Sequence, residues 1–332
     1  MDGEQSLIDR IRRAIPSRPR RPVLSSSRLR LGIGDDAALI SPARGLDFVV
    51  TCDAFLENVH FLPEVHSPDS VGYKSLARAT SDLAAMGAVP RYFFLTLALP
   101  VRRTGKWLES FLAGMARAAR EYRLLLAGGD TSCQPKVAIS ITVIGEIARG
   151  AALTRSAARP GDLIYVSGAL GAAQLGLQLI RRGLHRHKRW KPLLRQHCYP
   201  AIRIALGRFL SSRQVASAMI DLSDGLSTDL ARLCASSRVG ARLWQDCLPA
   251  VAVPPMLRAR GFDPLAFALH GGDDYELLFT VPRRLAKKIP AQHLGVRLTP
   301  IGEITRERKI SLVGAGGRAV PLKPFGWDHF RK

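Results

Sequence analysis

The chain has 332 residues, 47% of them hydrophobic, with 49 Lys+Arg against 27 Asp+Glu and a formal net charge of +22. That length predicts one large or two medium domains with a substantial core. The longest uncharged apolar run, Tyr92 to Val101, is too short to cross a bilayer, which excludes a spanning segment. The N-terminus opens on acids and lacks an apolar h-region, so no secretory signal is expected. Cys52, Cys133, Cys198, Cys234 and Cys247 are odd in number and form no CxxC pair. They argue against a disulfide framework or zinc knuckle and for a reducing, cytoplasmic setting.

The positive charge concentrates in residues 10–30 and 181–191. Such segments could bind a polyanion. They carry no aromatic interleaving, zinc finger or RNP-like pattern, so nucleic acid is not the expected partner.

In chain order, strand and helix signals alternate through the first half. "LDFVVTC" and "YFFLTLAL" read as strands by their apolar, β-branched and aromatic content. Between them, "SPDSVGYKSLARATSDLAAMG" reads as a helix, with Ser67 as its cap, Pro68 in its first turn and Gly87 closing it. "TGKWLESFLAGMARAAREYR" is a second helix, its bulky apolar residues recurring at helical spacing. "LLLAGG" and "VAISITVIGEI" give two further strands. "ARPGD" marks a turn and a domain boundary near Gly150 to Gly161. Beyond it, strands are predicted at 162–167, 218–222, 241–244, 275–281 and 296–304. Helices are predicted at 169–182, 201–210 and 226–236. The result is two α+β domains, residues 1–150 and 151–332, each a sheet with helices packed on it.

Acids recur beside glycines in this basic chain: "GIGDDAALI", "AGGDTS" and "HGGDDYELLF". Glycine permits φ > 0 and close approach of a ligand, and Mg²⁺ takes oxygen ligands while staying bound to phosphates. Each Gly-Asp pair alone is an ordinary turn. Together, Asp36, Asp53, Asp130, Asp221 and Asp224 are expected at strand ends, where open α/β sheets bind ligands. Asp82 falls in the last turn of its helix, where the macrodipole disfavours negative charge. It needs a cation, either a metal or Arg78 one turn earlier. Ser223 or Asp224 can cap the helix that follows, and the free N–H groups there can cradle a phosphate.

Seven ordered segments resemble the thiamine-monophosphate kinase family: "GIGDDAAL", "SLARATSDLAAMGAVP", "LAGGDTS", "ALTRSAARPGD", "IDLSDGLSTDL", "GGDDYELLFTVP" and "GWDHF". The resemblance runs from about Ser6 to Phe330. It implies a two-domain aminoimidazole ribonucleotide synthetase-like fold, mixed sheets with helices on them, and ATP-dependent phosphorylation of thiamine monophosphate to thiamine diphosphate. It also implies a homodimer through the N-terminal sheets, with ATP, Mg²⁺ and dimer contacts in residues 1–150 and residues 151–332 completing the cleft. By motif, Asp36, Asp53, Asp82, Asp130, Asp221 and Asp224 would hold several Mg²⁺ ions, with Thr51 and Cys52 in the small-hydroxyl positions before Asp53. Gly129, Arg155 and Ser223 would contact ATP. His60, Asp273 and Trp327 would contact the substrate, Trp327 by stacking.

Two residues depart from the family pattern. Cys52 stands where Thr is usual, and a soft thiol is a poor Mg²⁺ ligand, which leaves its backbone carbonyl. Asp273 stands where Glu is usual and reaches one methylene less, so Asp274 could share its role. The acceptor is an already ionised phosphate oxygen, so no catalytic protein base is expected. Two alternatives stand beside this reading: a synthetase of the same fold acting on a purine intermediate, and a polyanion-binding protein.

Overall fold

The computed structural model describes residues 10–11, 13–15, 29–31, 39–40 and 44–328. Asp36 and most of "GIGDDAALI" lie outside the described residues, as does most of the basic segment 10–30. The chain divides into two compact units, 1–83 with 88–150, and 84–87 with 151–332.

In the first unit, β1 (Leu29–Leu31) and β2 (Leu39–Ile40) form a short antiparallel ribbon. The main sheet has the order β3 (Leu46–Leu56), β6 (Ala138–Ala148), β4 (Val89–Leu99), β5 (Leu125–Cys133). Only β4 and β5 run parallel. Strand side chains alternate between faces, and burial follows that period. Val49 and Phe55 of β3, and Ile139, Ile141 and Val143 of β6, are buried. Phe48, Val50 and Leu56 are exposed on the other face. Helix α1 (Pro68–Ala85) and α2 (Lys106–Glu121) supply the rest of that core, through residues such as Leu76, Leu83, Phe111 and Met115. Ser67 caps α1, its Oγ accepting the Ser70 N–H at 3.2 Å. Gly87, at φ 76°, lies just beyond its end.

Two strands run further than their sequence signals. β3 continues through Asp53 to Leu56, and β5 through Asp130 to Cys133. Both acids are therefore strand-interior residues. The expectation that they end their strands rested on reading Asp and Gly as turn formers. Pairing along the full ladder with β6 and β4 overrides that local preference.

The second unit is built on an eight-stranded sheet. Its path is β14 (Ala319–Pro321), β13 (Ile310–Val313), β9 (Gly240–Trp244), β12 (Val296–Thr305), β7 (Leu163–Ser167), β10 (Leu277–Val281) and β8 (Ala218–Asp221), with β11 (Gln292–His293) paired to β12. Helices α3 (Ala172–Arg181), α4 (Ile204–Ser212), α5 (Leu226–Ser237) and α6 (Pro264–His270) belong to this unit. Ile164, Ile220, Leu230, Leu243 and Leu278 centre its core. The basic stretch 181–191 wraps an apolar satellite cluster around buried Trp190. Within it, Arg182 lies over Phe262 and Arg189 over Trp190.

Candidate active site

In the first unit, Thr51 and Asp53 share the face of β3 that meets α1. The Thr51 hydroxyl donates to Asp82 Oδ2 at 2.5 Å. Arg78 Nε donates to Asp53 Oδ2 at 3.3 Å. The last turn of α1 contains no basic residue, so Asp82 sits at the negative end of the dipole and takes a hydroxyl donor. Arg78, the partner considered for Asp82, directs its Nε to Asp53. Cys52 lies between Thr51 and Asp53 and points to the opposite, open face. Its Sγ is 3.5 Å from Ser140 Oγ there. An ion shared with Asp53 can meet only the backbone of Cys52.

Asp130 is exposed on edge strand β5, opposite Thr96 of β4. No cationic side chain pairs with it among the described residues. β3 and β5 are opposite edges of the sheet. Three strand spacings of about 4.8 Å separate them, roughly 14 Å in all. Asp53 and Asp82 thus form one acidic position and Asp130 another. Gly129 precedes Asp130 for a reason the sequence reading did not give. A Cβ there would lie 2.0 Å from the Leu95 carbonyl oxygen, so the neighbouring strand, not a ligand, excludes every other residue.

His60 follows β3 in a tight turn whose Asn58 has φ 68°. The Leu56 N–H donates to His60 Nδ1 at 3.0 Å. An accepting Nδ1 places the ring proton of the half-buried imidazole on Nε2. Its ring stacks on Phe55 at 5.5 Å.

In the second unit, Asp221 ends β8 opposite Leu277 and is 2% exposed. The loop after it is tied down by an acid the sequence reading missed. Neither Ser223 nor Asp224 caps α5. Gly225 occupies the N-cap, and no side chain bonds from that position. Asp229, inside the first turn, instead accepts the backbone N–H groups of Asp224 and Gly225, both at 3.0 Å. Arg232 Nη1 bridges Asp224 Oδ2 at 2.5 Å and Asp229 Oδ1 at 2.8 Å. Burial pushes the Asp229 carboxyl up to about 6, with Asp224 adding repulsion and the backbone and Arg232 contacts opposing it. The i, i+3 spacing of Asp229 and Arg232 was the available signal.

Trp327 is 103 residues from Asp224 in sequence, yet its N–H donates to the Asp224 carbonyl at 2.9 Å. Phe325 N–H and Gly326 N–H donate to Ser227 Oγ and Thr228 Oγ1. A Cβ on Gly326 would lie 1.9 Å from the Asp224 carbonyl oxygen. The C-terminal "GW" therefore packs flat on the start of α5 and leaves the Trp327 indole 42% exposed beside the Ser223–Asp224 loop.

"GGDDYE" divides its labour residue by residue. Asp273 is partly exposed, and its N–H donates to the Ser223 carbonyl at 2.8 Å. Asp274 is not a second substrate contact. It is fully buried, and its oxygens accept the Gly171 and Ala173 N–H groups at 2.6 and 3.2 Å, capping α3. Burial pushes its carboxyl up to about 8 against those two bonds, with Glu276 and Asp273 adding repulsion. Glu276 accepts a bidentate grip from Arg203 and a bond from Ser167 Oγ at 2.5 Å. Arg155 is exposed, with its carbonyl held by Ser237 Oγ at 2.6 Å.

The described residues contain no group of three or more His, Cys, Asp or Glu side chains placed to hold a metal ion. The fold accounts for most of the chain in known families. Residues 34–147 match "AIR synthase related protein, N-terminal domain", and residues 159–315 match its C-terminal domain. A thiamine-monophosphate kinase of Escherichia coli O157:H7 is 39% identical over 92% of this chain and 94% of that protein. The chain belongs to the thiamine-monophosphate kinase family. The solved thiamine-monophosphate kinase of Stenotrophomonas maltophilia superposes with a TM-score of 0.80 at 37% identity, covering 95% of this chain and 96% of that one. The structure described as AaThiL complexed with AMPPCP and TMP has a TM-score of 0.77 at 31% identity, covering 99% and 97%.

Proposed function

We infer that this chain is a kinase that transfers a phosphoryl group from ATP to thiamine monophosphate, forming thiamine diphosphate. The observation that carries the reading is the match, over nearly the whole of both chains, to the relative solved with AMPPCP and TMP. The test is direct: incubate the protein with Mg·ATP and thiamine monophosphate and follow thiamine diphosphate. Release of ADP with a phosphorylated purine intermediate, and none with thiamine monophosphate, would overturn the assignment within the fold.

The donor set fits Mg²⁺. It offers carboxylate and hydroxyl oxygens, and Asp130 has no cationic partner among the described residues. Mg²⁺ needs only one or two protein carboxylates when phosphates and water complete its shell, so a closed three-ligand cluster is not required. Asp53, Asp82 and Asp130 would hold such ions from the first unit, with Thr51 orienting Asp82. Asp221 and Asp224 would do so from the second, and Asp36 completes the set that the family resemblance implies. Asp224 must first loosen from Arg232. When bound, Mg²⁺ would supply charge neutralisation for the phosphates; unit charges 4 Å apart repel by about 4 kcal/mol at an effective dielectric of 20.

The protein's own part is orientation. Ser223, Gly129 and Arg155 would place ATP, Arg155 gripping a phosphate through its fork of N–H groups. His60 would donate through Nε2 to the substrate, Asp273 would face it and Trp327 would stack on its ring. The attacking oxygen is already ionised, so no residue need take a proton, and transfer is in line and direct. Inversion at a chiral γ-phosphorus is expected; retention, or a trapped phosphoprotein, would overturn direct transfer.

The open face of the first sheet supports a homodimer. Phe48, Val50 and Leu56 are 41%, 58% and 36% exposed on one strand. A contiguous apolar strand face of this kind marks an interaction surface. Sedimentation should give a dimer, and Val50→Glu a monomer. The proposed substrates and the free cysteines support a cytoplasmic setting.

A further inference from the structure

The loop between β8 and α5 joins parts of the second unit that are far apart in sequence, and its backbone does the joining. Successive carbonyls accept partners from two distant segments. Leu222 takes the Tyr275 N–H at 2.9 Å, Ser223 the Asp273 N–H at 2.8 Å and Asp224 the Trp327 N–H at 2.9 Å. Close packing leaves the loop little room to move. A Cβ on Gly225, at φ 110°, would lie 2.9 Å from the His270 carbonyl carbon, and one on Gly272 would lie 2.8 Å from the Ser223 carbonyl oxygen. The loop's N–H groups go to the first turn of α5. There a single oxygen, Asp229 Oδ2, accepts both the Asp224 and the Gly225 N–H at 3.0 Å. The Asp229 side chain is 0% exposed, so removing its carboxylate leaves two backbone donors without their acceptor.

We propose that Asp229 is a positioning residue for both substrates of the phosphoryl transfer. Through one carboxylate oxygen it fixes the loop that presents Ser223 to ATP and that seats Trp327, by way of the Asp224 carbonyl, against thiamine monophosphate. Being wholly buried, Asp229 acts only through the loop. The inference deepens the kinase reading and rests on it, in particular on Ser223 and Trp327 as contacts. A misplacement of about 1 Å in such a support can cost about 10²-fold in rate.

Asp229→Ala removes both loop bonds. Asp229→Asn keeps an oxygen for the two N–H groups and gives up only the ion pair with Arg232, which is 44% exposed. The experiment measures KM for ATP and for thiamine monophosphate, with kcat, in each variant. Titration calorimetry of thiamine monophosphate and of ADP reads binding without turnover. Asp229→Ala is expected to raise both constants about tenfold, the worth of a hydrogen bond to a charged group. Asp229→Asn is expected to stay within about fivefold of the parent, the reach of one partly exposed ion pair. In a Trp327→Ala background, Asp229→Ala should add little to the loss of thiamine monophosphate binding, while its effect on ATP persists. Unchanged constants in Asp229→Ala, a rise for one substrate only, or equal losses in the Ala and Asn variants would overturn the proposal. Unchanged thiamine monophosphate binding in Trp327→Ala would instead overturn the stacking role, and no thiamine diphosphate from the parent would overturn the kinase reading itself. Thermal melting separates these outcomes from misfolding. Should Asp229→Ala not fold, Asp229→Glu keeps the charge but moves the carboxylate by one methylene, and is judged by the same criteria.

Discussion

The acids of the two units look alike in sequence and differ in physical fate. In the first unit, Asp130 is exposed and unpaired among the described residues, while Asp53 accepts from Arg78 and Asp82 from Thr51. In the second, Asp229, Asp274 and Glu276 are buried, each with both oxygens engaged. An acid behind a glycine is thus no guide to its role. What separates Asp130 from the buried acids is whether backbone N–H groups and arginines already satisfy the carboxylate. A satisfied carboxylate organises a loop, and an unsatisfied one remains able to take a ligand.

The sharpest way to break this contrast is Asp130→Asn. The side chain is exposed and makes no ion pair, so melting should stay within a degree or two of the parent. Turnover should fall on the order of 10²–10³-fold, the usual effect of removing one group that stabilises developing charge. Excess Mg²⁺ should not restore it. Near-normal turnover would show that the exposed acid of the first unit is as silent as the buried ones of the second.

Arg203→Met makes the opposite test. Arg203 grips Glu276, which is 2% exposed, and the substitution leaves that carboxylate buried without its cation. Removing one partner of a buried pair costs about 3–5 kcal/mol. Urea unfolding should record a loss of this size. A loss below about 1 kcal/mol would mean that water or another group reaches Glu276 and that the second unit's acids are less committed than their contacts indicate.

Most of the fold was legible in the sequence. Alternation along "LDFVVTC" and "VAISITVIGEI", and the Ser67–Pro68 start of α1, are local signals, and the structure follows them. The site was legible only in part, because its decisive facts are non-local. Nothing near Asp274 announces that it caps a helix starting at Ala172. Nothing near Trp327 places it on the carbonyl of Asp224. The hold of Asp229 on the loop before it was missed because capping by a residue inside the helix leaves no signature at the N-cap, where Gly225 stands. The lengths of β3 and β5 were underread because ladder partners, not local propensity, carry those strands through Asp53 and Asp130.

Asp274 offers a pH test of the same contrast. Its carboxyl is raised from an ordinary 3.8 to about 8 in the folded protein. The folded state therefore holds a proton that the unfolded chain releases across that window. The stability linked to it is fully present below about pH 4 and is lost as pH rises through about 8. Asp274→Asn should flatten the fall in unfolding free energy between pH 5 and 8. It should also cost about 1–3 kcal/mol, since an amide NH₂ must face one of the two N–H donors that the carboxyl accepts. An undiminished slope in the variant would assign the pH dependence to other groups.

The smallest expected effect makes the finest distinction, between neighbours on one strand. Thr51 donates to Asp82 on the α1 face, while Cys52 lies near Ser140 on the open face. Thr51→Val should cut turnover about tenfold, since Asp82 loses a hydrogen bond to a charged acceptor. Cys52→Ala should leave turnover and the Mg²⁺ dependence within about twofold, as for an exposed substitution that breaks no strong contact. Strand alternation makes this a demanding pair, because a one-residue slip in register would exchange the two outcomes. Equal losses in both variants would point to a metal contact through the Cys52 thiol, and so to a local backbone rotation that carries Sγ around the edge of β3.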